Sequence, residues 1–80
     1  MNLIIDIGNT VAKLAVFEQG EPLEVIRCSN LTLDQLPMLC RKYPIRRGIV
    51  SSVVTLSDIV LQQLARWDFP IIRLTHETPV

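Results

Sequence analysis

The first seventeen residues constrain this chain most, because two apolar runs flank a short polar turn there. Both runs are rich in Ile, Leu and Val and too short for helices, so we predict strands at Asn2–Ile7 and Val11–Phe17. Gly8 and Asn9 mark the turn between them, where we expect backbone at positive φ. The first strand is apolar on both faces, which favours a central strand covered on both sides.

The polar residues around this turn fit a site for phosphate and a cation. Asp6 ends an apolar strand, and carboxylates are rarely buried without a partner. The turn offers backbone N–H groups and the Thr10 hydroxyl to phosphate oxygens. Lys13 adds positive charge, and Asp6 can hold a cation directly or through water. The alternative is a plain hairpin, with Asp6 capping the turn and Lys13 in solvent.

Three further strands and two helices are predicted after this hairpin. A third strand is expected at Leu23–Cys28, with Glu24 and Arg27 facing water at a sheet edge. Strands at Gly48–Val53 and Ile71–Leu74 follow. The order is therefore β-β-β-α-β-α-β.

The helices are bounded by capping residues and prolines. The first is expected to begin at Thr32 or Asp34, with Pro37 in its first turn, and to end at Pro44. The second is expected to begin at Thr55 and to run to about Trp67. The inward-facing residues predicted are Leu33, Leu36, Leu39 or Cys40, and Tyr43 in the first helix, and Ile59, Val60, Leu64 and Trp67 in the second, with Gln62, Gln63 and Arg66 outward.

This order predicts an α/β fold with a mixed five-stranded sheet and helices on its faces. Right-handed crossovers place the fourth strand beside the first and parallel to it, with the fifth strand outside. The carboxyl ends of these strands then bring Asp6, Ser51 and Ser52 to one rim, where open α/β sheets bind ligands. Ordinary strand-end chemistry is the alternative for the two serines.

Composition excludes several other classes of protein. The formal net charge is zero and no basic patch stands out, which argues against nucleic-acid binding. Cys28 and Cys40 lack metal-ligand spacing, so we expect free thiols in a reducing compartment. No apolar run is long enough for a transmembrane helix, and the start Met1-Asn2-Leu3-Ile4-Ile5-Asp6 lacks the basic region of a signal peptide, so a cytoplasmic location is expected. His76 is read as a solvated tail residue.

The phrase I-D-I-G-N-T-x-x-K at positions 5–13 resembles the first phosphate motif of the sugar kinase, heat-shock protein 70 and actin superfamily. In detail, the chain looks like the start of a type III pantothenate kinase, with Ser51-Ser52-Val53 and Thr78-Pro79 as weaker points of likeness. The resemblance implies a truncated ribonuclease-H-like half-domain. Residues 1–80 would be the N-terminal part of an actin-like kinase domain whose C-terminal lobe is absent.

The resemblance also implies a function, namely ATP-dependent phosphorylation of pantothenate on the route to coenzyme A. On this hypothesis Asp6 holds Mg²⁺ bound with ATP, and Ser51 and Ser52, placed at the rim by the strand order, are candidates for contacting the substrate. A monovalent cation (K⁺ or NH₄⁺) and a homodimer are expected. The catalytic base is expected beyond Val80, so the 80-residue chain alone should be inactive. The residues assigned to ATP phosphates are Asp6, Ile7, Gly8, Asn9, Thr10, Val11, Ala12 and Lys13.

Two other functions compete with the kinase. A ribonuclease-H-like nuclease would use Asp6 as a metal ligand, but it needs further carboxylates on neighbouring strands, and the fourth strand ends in serines. A non-enzymatic structural or assembly half-domain would keep the turn without using it. Titration with ATP and Mg²⁺, followed at the amides of Gly8 and Thr10, distinguishes this module from the kinase.

Overall fold

The computed structural model describes residues 1–74, which form one five-stranded mixed sheet with two helices. The elements are β1 (Asn2–Ile7), β2 (Val11–Glu18), β3 (Glu21–Ser29), α1 (Leu36–Lys42), β4 (Arg47–Ser52), α2 (Asp58–Ala65) and β5 (Ile71–Leu74). The strand order is β3-β2-β1-β4-β5. The pairs β1–β2 and β2–β3 are antiparallel, whereas β4 runs parallel to β1 and β5 parallel to β4. The predicted fold class and strand arrangement are confirmed, while the predictions on His76 and Thr78-Pro79 lie outside the described residues.

The hydrophobic core lies on one face of this sheet. Side chains alternate along β1, so that Leu3, Ile5 and Ile7 are buried while the residues between them are exposed. The same face of β2 and β4 continues this layer, and both helices pack onto it. Its other buried members are Ala12, Leu14, Val16, Leu33, Leu36, Leu39, Val50 and Val60.

The opposite face of the sheet is open in the described part of the chain. Ile4 and Ile49, at the centre of that face, are 38% and 37% exposed. The expectation that β1 is covered on both sides is therefore wrong for residues 1–74. The reason is topological: the connections from β3 to β4 and from β4 to β5 step in the same direction across the sheet, so right-handed crossovers put α1 and α2 on the same face.

A two-residue turn joins β2 to β3. Gln19 has φ 52° and Gly20 has φ 81°, and positive φ at both central residues is what a type I′ hairpin turn requires. Because the turn is so short, the flanking strands run further than predicted, to Glu18 and from Glu21. Pro22 is tolerated because β3 is an edge strand.

The start of α1 differs from the prediction. The helix begins at Leu36 and has no side-chain cap, so neither Thr32 nor Asp34 caps it. The Asp34 carboxylate instead accepts the Ser29 N–H at 3.0 Å, a hydrogen bond that lowers the pKa of Asp34, with a smaller contribution from the Gln35 side chain. Leu33 is buried as predicted, but at φ 48° it belongs to a turn before the helix.

The bounds and inner face of α2 also differ. Ser57 caps the helix in place of Thr55, because the Ser57 hydroxyl accepts the Val60 N–H at 3.1 Å. The helix ends at Ala65, before Trp67. Val60 is fully buried as predicted, whereas Ile59 is 52% exposed and does not face inward. Gln63, predicted outward, is half-buried and donates to the Thr32 carbonyl at 3.3 Å.

Glu24 is also placed differently from the prediction. It lies on the core side of β3, half-buried, where its carboxylate meets Lys42 Nζ and the Tyr43 hydroxyl, each at 2.7 Å. These two hydrogen bonds, that of Lys42 first, lower the pKa of Glu24. Arg27 is exposed at the edge, as predicted. The contact joins β3 to the last turn of α1 and its C-cap residue.

Candidate functional site

The turn between β1 and β2 lies at the carboxyl end of β1 and is tightly closed. The Gly8 N–H donates to the Val11 carbonyl at 3.0 Å. Neither Gly8 nor Asn9 has positive φ, so that expectation is wrong. Glycine is needed here for proximity instead, because a Cβ on Gly8 would lie 3.1 Å from the Val11 carbonyl oxygen.

Strand register aligns four polar side chains in a row across the open face. Lys13 is opposite Asp6, Ser51 pairs with Asp6 on the other side, and Arg27 pairs with Lys13. Directly paired residues share a face of a sheet, so these side chains are neighbours in the order Arg27, Lys13, Asp6, Ser51. This row of Arg27, Lys13, Asp6 and Ser51, called the polar row below, lies one residue away from the turn along β1. It brings together residues that are distant in sequence.

The two serines at the end of β4 point to opposite faces. Ser51 stands in the polar row, next to Asp6. Ser52 lies on the core side, where its hydroxyl donates to the Val54 carbonyl at 2.6 Å and accepts the Val54 N–H at 3.1 Å. The sheet therefore brings Ser51 to the predicted site and commits Ser52 to closing the turn after β4.

The remaining predicted phosphate-binding residues also divide into buried and exposed side chains. The side chains of Ile7 and Ala12 are fully buried in the core, so only their backbone could meet a ligand. Thr10 is exposed, and Val11 is 39% exposed. The N–H groups of Asn9 and Thr10 make no hydrogen bond to any described residue. Two backbone donors and a hydroxyl are thus available at the turn.

One residue of the site, Asn30, escaped the sequence reasoning. Its side-chain Nδ2 donates to the carbonyl oxygens of Gly8 and Asn9, at 3.0 Å each. The signal was present in the hairpin register: Ser29 pairs with Val11, so the residue that follows β3 must lie beside the turn after β1. The register therefore indicates that a polar residue at position 30 can contact this turn.

The site suits a cation that arrives with phosphate. Asp6 is exposed and forms no salt bridge with a described residue, so its carboxylate is available. Among residues 1–74, no three His, Cys, Asp or Glu side chains come together to hold a metal ion. Mg²⁺ that accompanies a nucleotide needs only one or two carboxylates besides phosphate oxygens and water. The residues fit Mg²⁺ in that role and do not form a metal site on their own.

A separate cleft of about 250 Å³ opens at the carboxyl ends of β4 and β5. Its walls are mostly apolar, with Arg73 at one side and the hydroxyls of Ser52 and Thr55 nearby. The turn at Gly8 and the polar row do not line it. Its lining residues are Val50, Ser52, Val54, Thr55, Leu56, Arg73 and Leu74.

Comparison with known proteins identifies the family. The chain is 64% identical over all 80 residues to the type III pantothenate kinase of Phocaeicola vulgatus and 48% identical over 80 residues to that of Bacteroides fragilis. A second Bacteroides fragilis strain has one that is 47% identical over 78 residues. This chain belongs to the type III pantothenate kinase family. It spans about a third of the length of these curated relatives and matches their N-terminal part.

Membership in the type III pantothenate kinase family confirms the resemblance given by the motif at positions 5–13 and supports the kinase over the nuclease. The nuclease hypothesis also lacks the second carboxylate that it requires, because Asp6 is flanked in the sheet by Lys13 and Ser51. No protein-family model matches the chain. Within residues 1–74, neither helix is long and apolar enough to cross a membrane.

Proposed function

We propose that residues 1–80 are the N-terminal, phosphate-binding part of a kinase domain that transfers a phosphoryl group from ATP to pantothenate. The family match supports the reaction class. One observation supports this role most directly. At the carboxyl end of β1, the free backbone N–H groups of Asn9 and Thr10 lie beside the charged pair of Asp6 and Lys13. Open α/β sheets bind ligands at this end of their strands.

Phosphoryl transfer requires positioning and charge neutralisation more than covalent chemistry from the protein. The N–H groups of Asn9 and Thr10 and the Thr10 hydroxyl would donate hydrogen bonds to phosphate oxygens. The Lys13 ammonium would pair with the same phosphates. The Asp6 carboxylate would hold the Mg²⁺ that arrives with ATP, directly or through water, and this ion would supply further positive charge against the phosphates. The half-buried Ser51 would face the same space from β4.

The remaining properties proposed here follow from the family resemblance. We propose a monovalent cation requirement, a homodimeric full-length enzyme and a cytoplasmic location. The base that activates the pantothenate hydroxyl would lie outside residues 1–80. The 80-residue chain should therefore bind nucleotide without phosphorylating pantothenate, and pantothenate-dependent release of ADP from it would contradict this proposal.

Titration of the ¹⁵N-labelled chain with ATP and Mg²⁺ tests nucleotide binding directly. We expect saturable shifts at the amides of Asn9 and Thr10 and none at the Gln19-Gly20 turn, which joins β2 to β3. Asp6→Asn should weaken the Mg²⁺-dependent part of the response, while Asp68→Asn, the same change at an exposed position outside the site, should not. Absence of shifts at Asn9 and Thr10 would refute nucleotide binding and favour the non-enzymatic module.

A further inference from the structure

Asn30 lies directly after β3, and its side-chain amide spans the turn between β1 and β2. Nδ2 donates to the carbonyl oxygen of Gly8 at 3.0 Å and to that of Asn9 at 3.0 Å. Asn30 itself is half-buried. One side chain thereby holds two consecutive peptide groups of the turn.

Because the peptide group is planar, these two contacts also fix the direction in which two backbone N–H groups point. The Gly8 carbonyl and the Asn9 N–H belong to one planar peptide group, and the Asn9 carbonyl and the Thr10 N–H to the next. Both groups are trans, so each carbonyl and its N–H point in opposite directions. Because both carbonyls point toward Asn30, both N–H groups point away from it. Neither N–H meets an acceptor among the described residues.

Successive N–H groups that point the same way form a concavity suited to anions. If either peptide group rotated, a carbonyl oxygen would replace an N–H, and attraction for a phosphate oxygen would become repulsion. We infer that Asn30 is the positioning residue of this site: it holds the amides of Asn9 and Thr10 in the orientation that receives phosphate. The inference rests on the proposed function, but it concerns a residue outside the phosphate motif.

The segment that carries Asn30 is itself fixed at several points. The Leu31 N–H donates to Ser29 Oγ at 3.1 Å, and the Leu31 carbonyl accepts the Ser57 hydroxyl at 2.7 Å. Ser57 is the cap of α2, so the segment is tied to the start of that helix. Asn30 is thus anchored to both β3 and α2, and it holds the turn from this fixed position. A positioning residue needs such support, because preorganised donors bind more tightly than mobile ones.

Asn30→Asp tests the inference, because it keeps the size of the side chain and replaces its donor with an acceptor. The orientation of individual N–H bonds in the ¹⁵N-labelled chain is measured by residual dipolar couplings, and the affinity for ATP and Mg²⁺ by titration. We expect altered couplings at Asn9 and Thr10, unchanged couplings in the core strands, and nucleotide binding about tenfold weaker. Asn2→Asp, the same change at the far end of β1, should leave both measurements unchanged.

The two measurements separate the inference from the proposed function. Unchanged couplings at Asn9 and Thr10 in Asn30→Asp would overturn the inference whether or not nucleotide binds. Altered couplings with unchanged affinity would reduce Asn30 to a structural residue and overturn its role in binding. If the wild-type chain failed to bind nucleotide, the proposed function and the positioning role would both fail. Asn30→Ser, smaller and uncharged, provides the same comparison if Asn30→Asp unfolds.

Discussion

Asp6 stands directly opposite Lys13 in the antiparallel pair of β1 and β2, and the two side chains form no salt bridge. Cross-strand charge pairs on an exposed face add little stability even when they do meet. The carboxylate and the ammonium are therefore both free to meet charges from outside the chain. Such separation is useful at a phosphate site, where the lysine faces phosphate oxygens and the carboxylate faces the cation that accompanies them.

The first prediction concerns the charge of Lys13. Lys13→Gln should weaken binding of ATP and Mg²⁺ by about ten- to a hundredfold, since a hydrogen bond to a charged group contributes about 1.5–3 kcal/mol. Isothermal titration calorimetry measures the effect. Lys13→Arg keeps the charge and should retain most of the affinity, and Arg46→Gln removes an exposed charge elsewhere and should have no effect. Equal affinities for Lys13→Gln and the wild type would remove Lys13 from the site.

The second prediction compares two glycines that are required for different reasons. Gly8→Ala places a Cβ 3.1 Å from the Val11 carbonyl oxygen, so the turn must shift by a few tenths of an ångström. We expect a loss of about 1–3 kcal/mol in the free energy of unfolding, together with weaker nucleotide binding. Gly20→Ala should cost about 1–2 kcal/mol because φ there is +81°, with no effect on binding.

Urea unfolding and the ATP titration separate the two glycine variants, because only Gly8 borders the proposed site. Undiminished nucleotide binding by Gly8→Ala would show that the shape of the turn does not matter for the ligand. A loss of binding by Gly20→Ala equal to that of Gly8→Ala would assign both effects to general destabilisation.

The strands were predictable because their signals are local. Alternating or continuous Ile, Leu and Val runs, separated by Gly, Pro and Asn, determine the strand positions, and the right-handed crossover rule determines their order. The helix starts were missed because tertiary contacts override local capping patterns. Thr32 and Asp34 fit a cap by sequence, but the burial of Leu33 at φ 48° bends the chain before the helix begins.

The candidate site was predictable to the extent that it lies within one hairpin. The pairing of Asp6 with Lys13 follows from a short turn between two strands. The separation of Ser51 from Ser52 depends on the register between β1 and β4, which no local pattern specifies. Asn30 was missed because it acts on a turn 22 residues away in the chain.

The third prediction tests the orientation of α2 through two neighbouring residues. Val60→Ala should lower the free energy of unfolding by about 1–2 kcal/mol, because Val60 is fully buried in the core. Ile59→Ala should change it by less than about 0.5 kcal/mol, because Ile59 is 52% exposed. Urea unfolding followed by circular dichroism measures both. A larger loss for Ile59→Ala than for Val60→Ala would mean that α2 is rotated relative to the sheet.

The fourth prediction concerns thiol reactivity. Burial raises the pKa of the Cys40 thiol to about 11, compared with an ordinary value of 9.0. Because the thiolate is the reactive form, a disulfide reagent at pH 8 should modify Cys40 about a hundredfold more slowly in the folded chain than in urea. Cys28→Ala isolates the Cys40 signal, and Cys40→Ala isolates that of Cys28. Equal rates for Cys40 in the folded and unfolded chain would contradict its burial.

The fifth prediction is a pH profile of stability that depends on Glu24. The hydrogen bonds from Lys42 and Tyr43 lower the pKa of Glu24 below 4.5, so its contribution is present above that pH and is lost as pH falls through the lowered pKa. The same contacts, with Glu24 as the main cause, raise the pKa of Lys42 above 10.5 and that of Tyr43 above 10.0. The contributions of Lys42 and Tyr43 to stability are therefore fully present below these ordinary pKa values and are lost as pH rises through the raised pKa values.

Glu24→Gln should therefore reduce the slope at both ends of the profile, because Glu24 contributes to the acid limb together with Asp34 and, through Lys42 and Tyr43, to the alkaline limb together with the buried Cys40 thiol. The urea midpoint, measured from pH 3 to pH 11, reports the change, and Glu21→Gln at an exposed position of the same strand is the matched control. Flattening in Glu21→Gln as well would assign the effect to net charge. A profile for Glu24→Gln as steep as that of the wild type would mean that the contact between β3 and the end of α1 contributes nothing to pH-dependent stability.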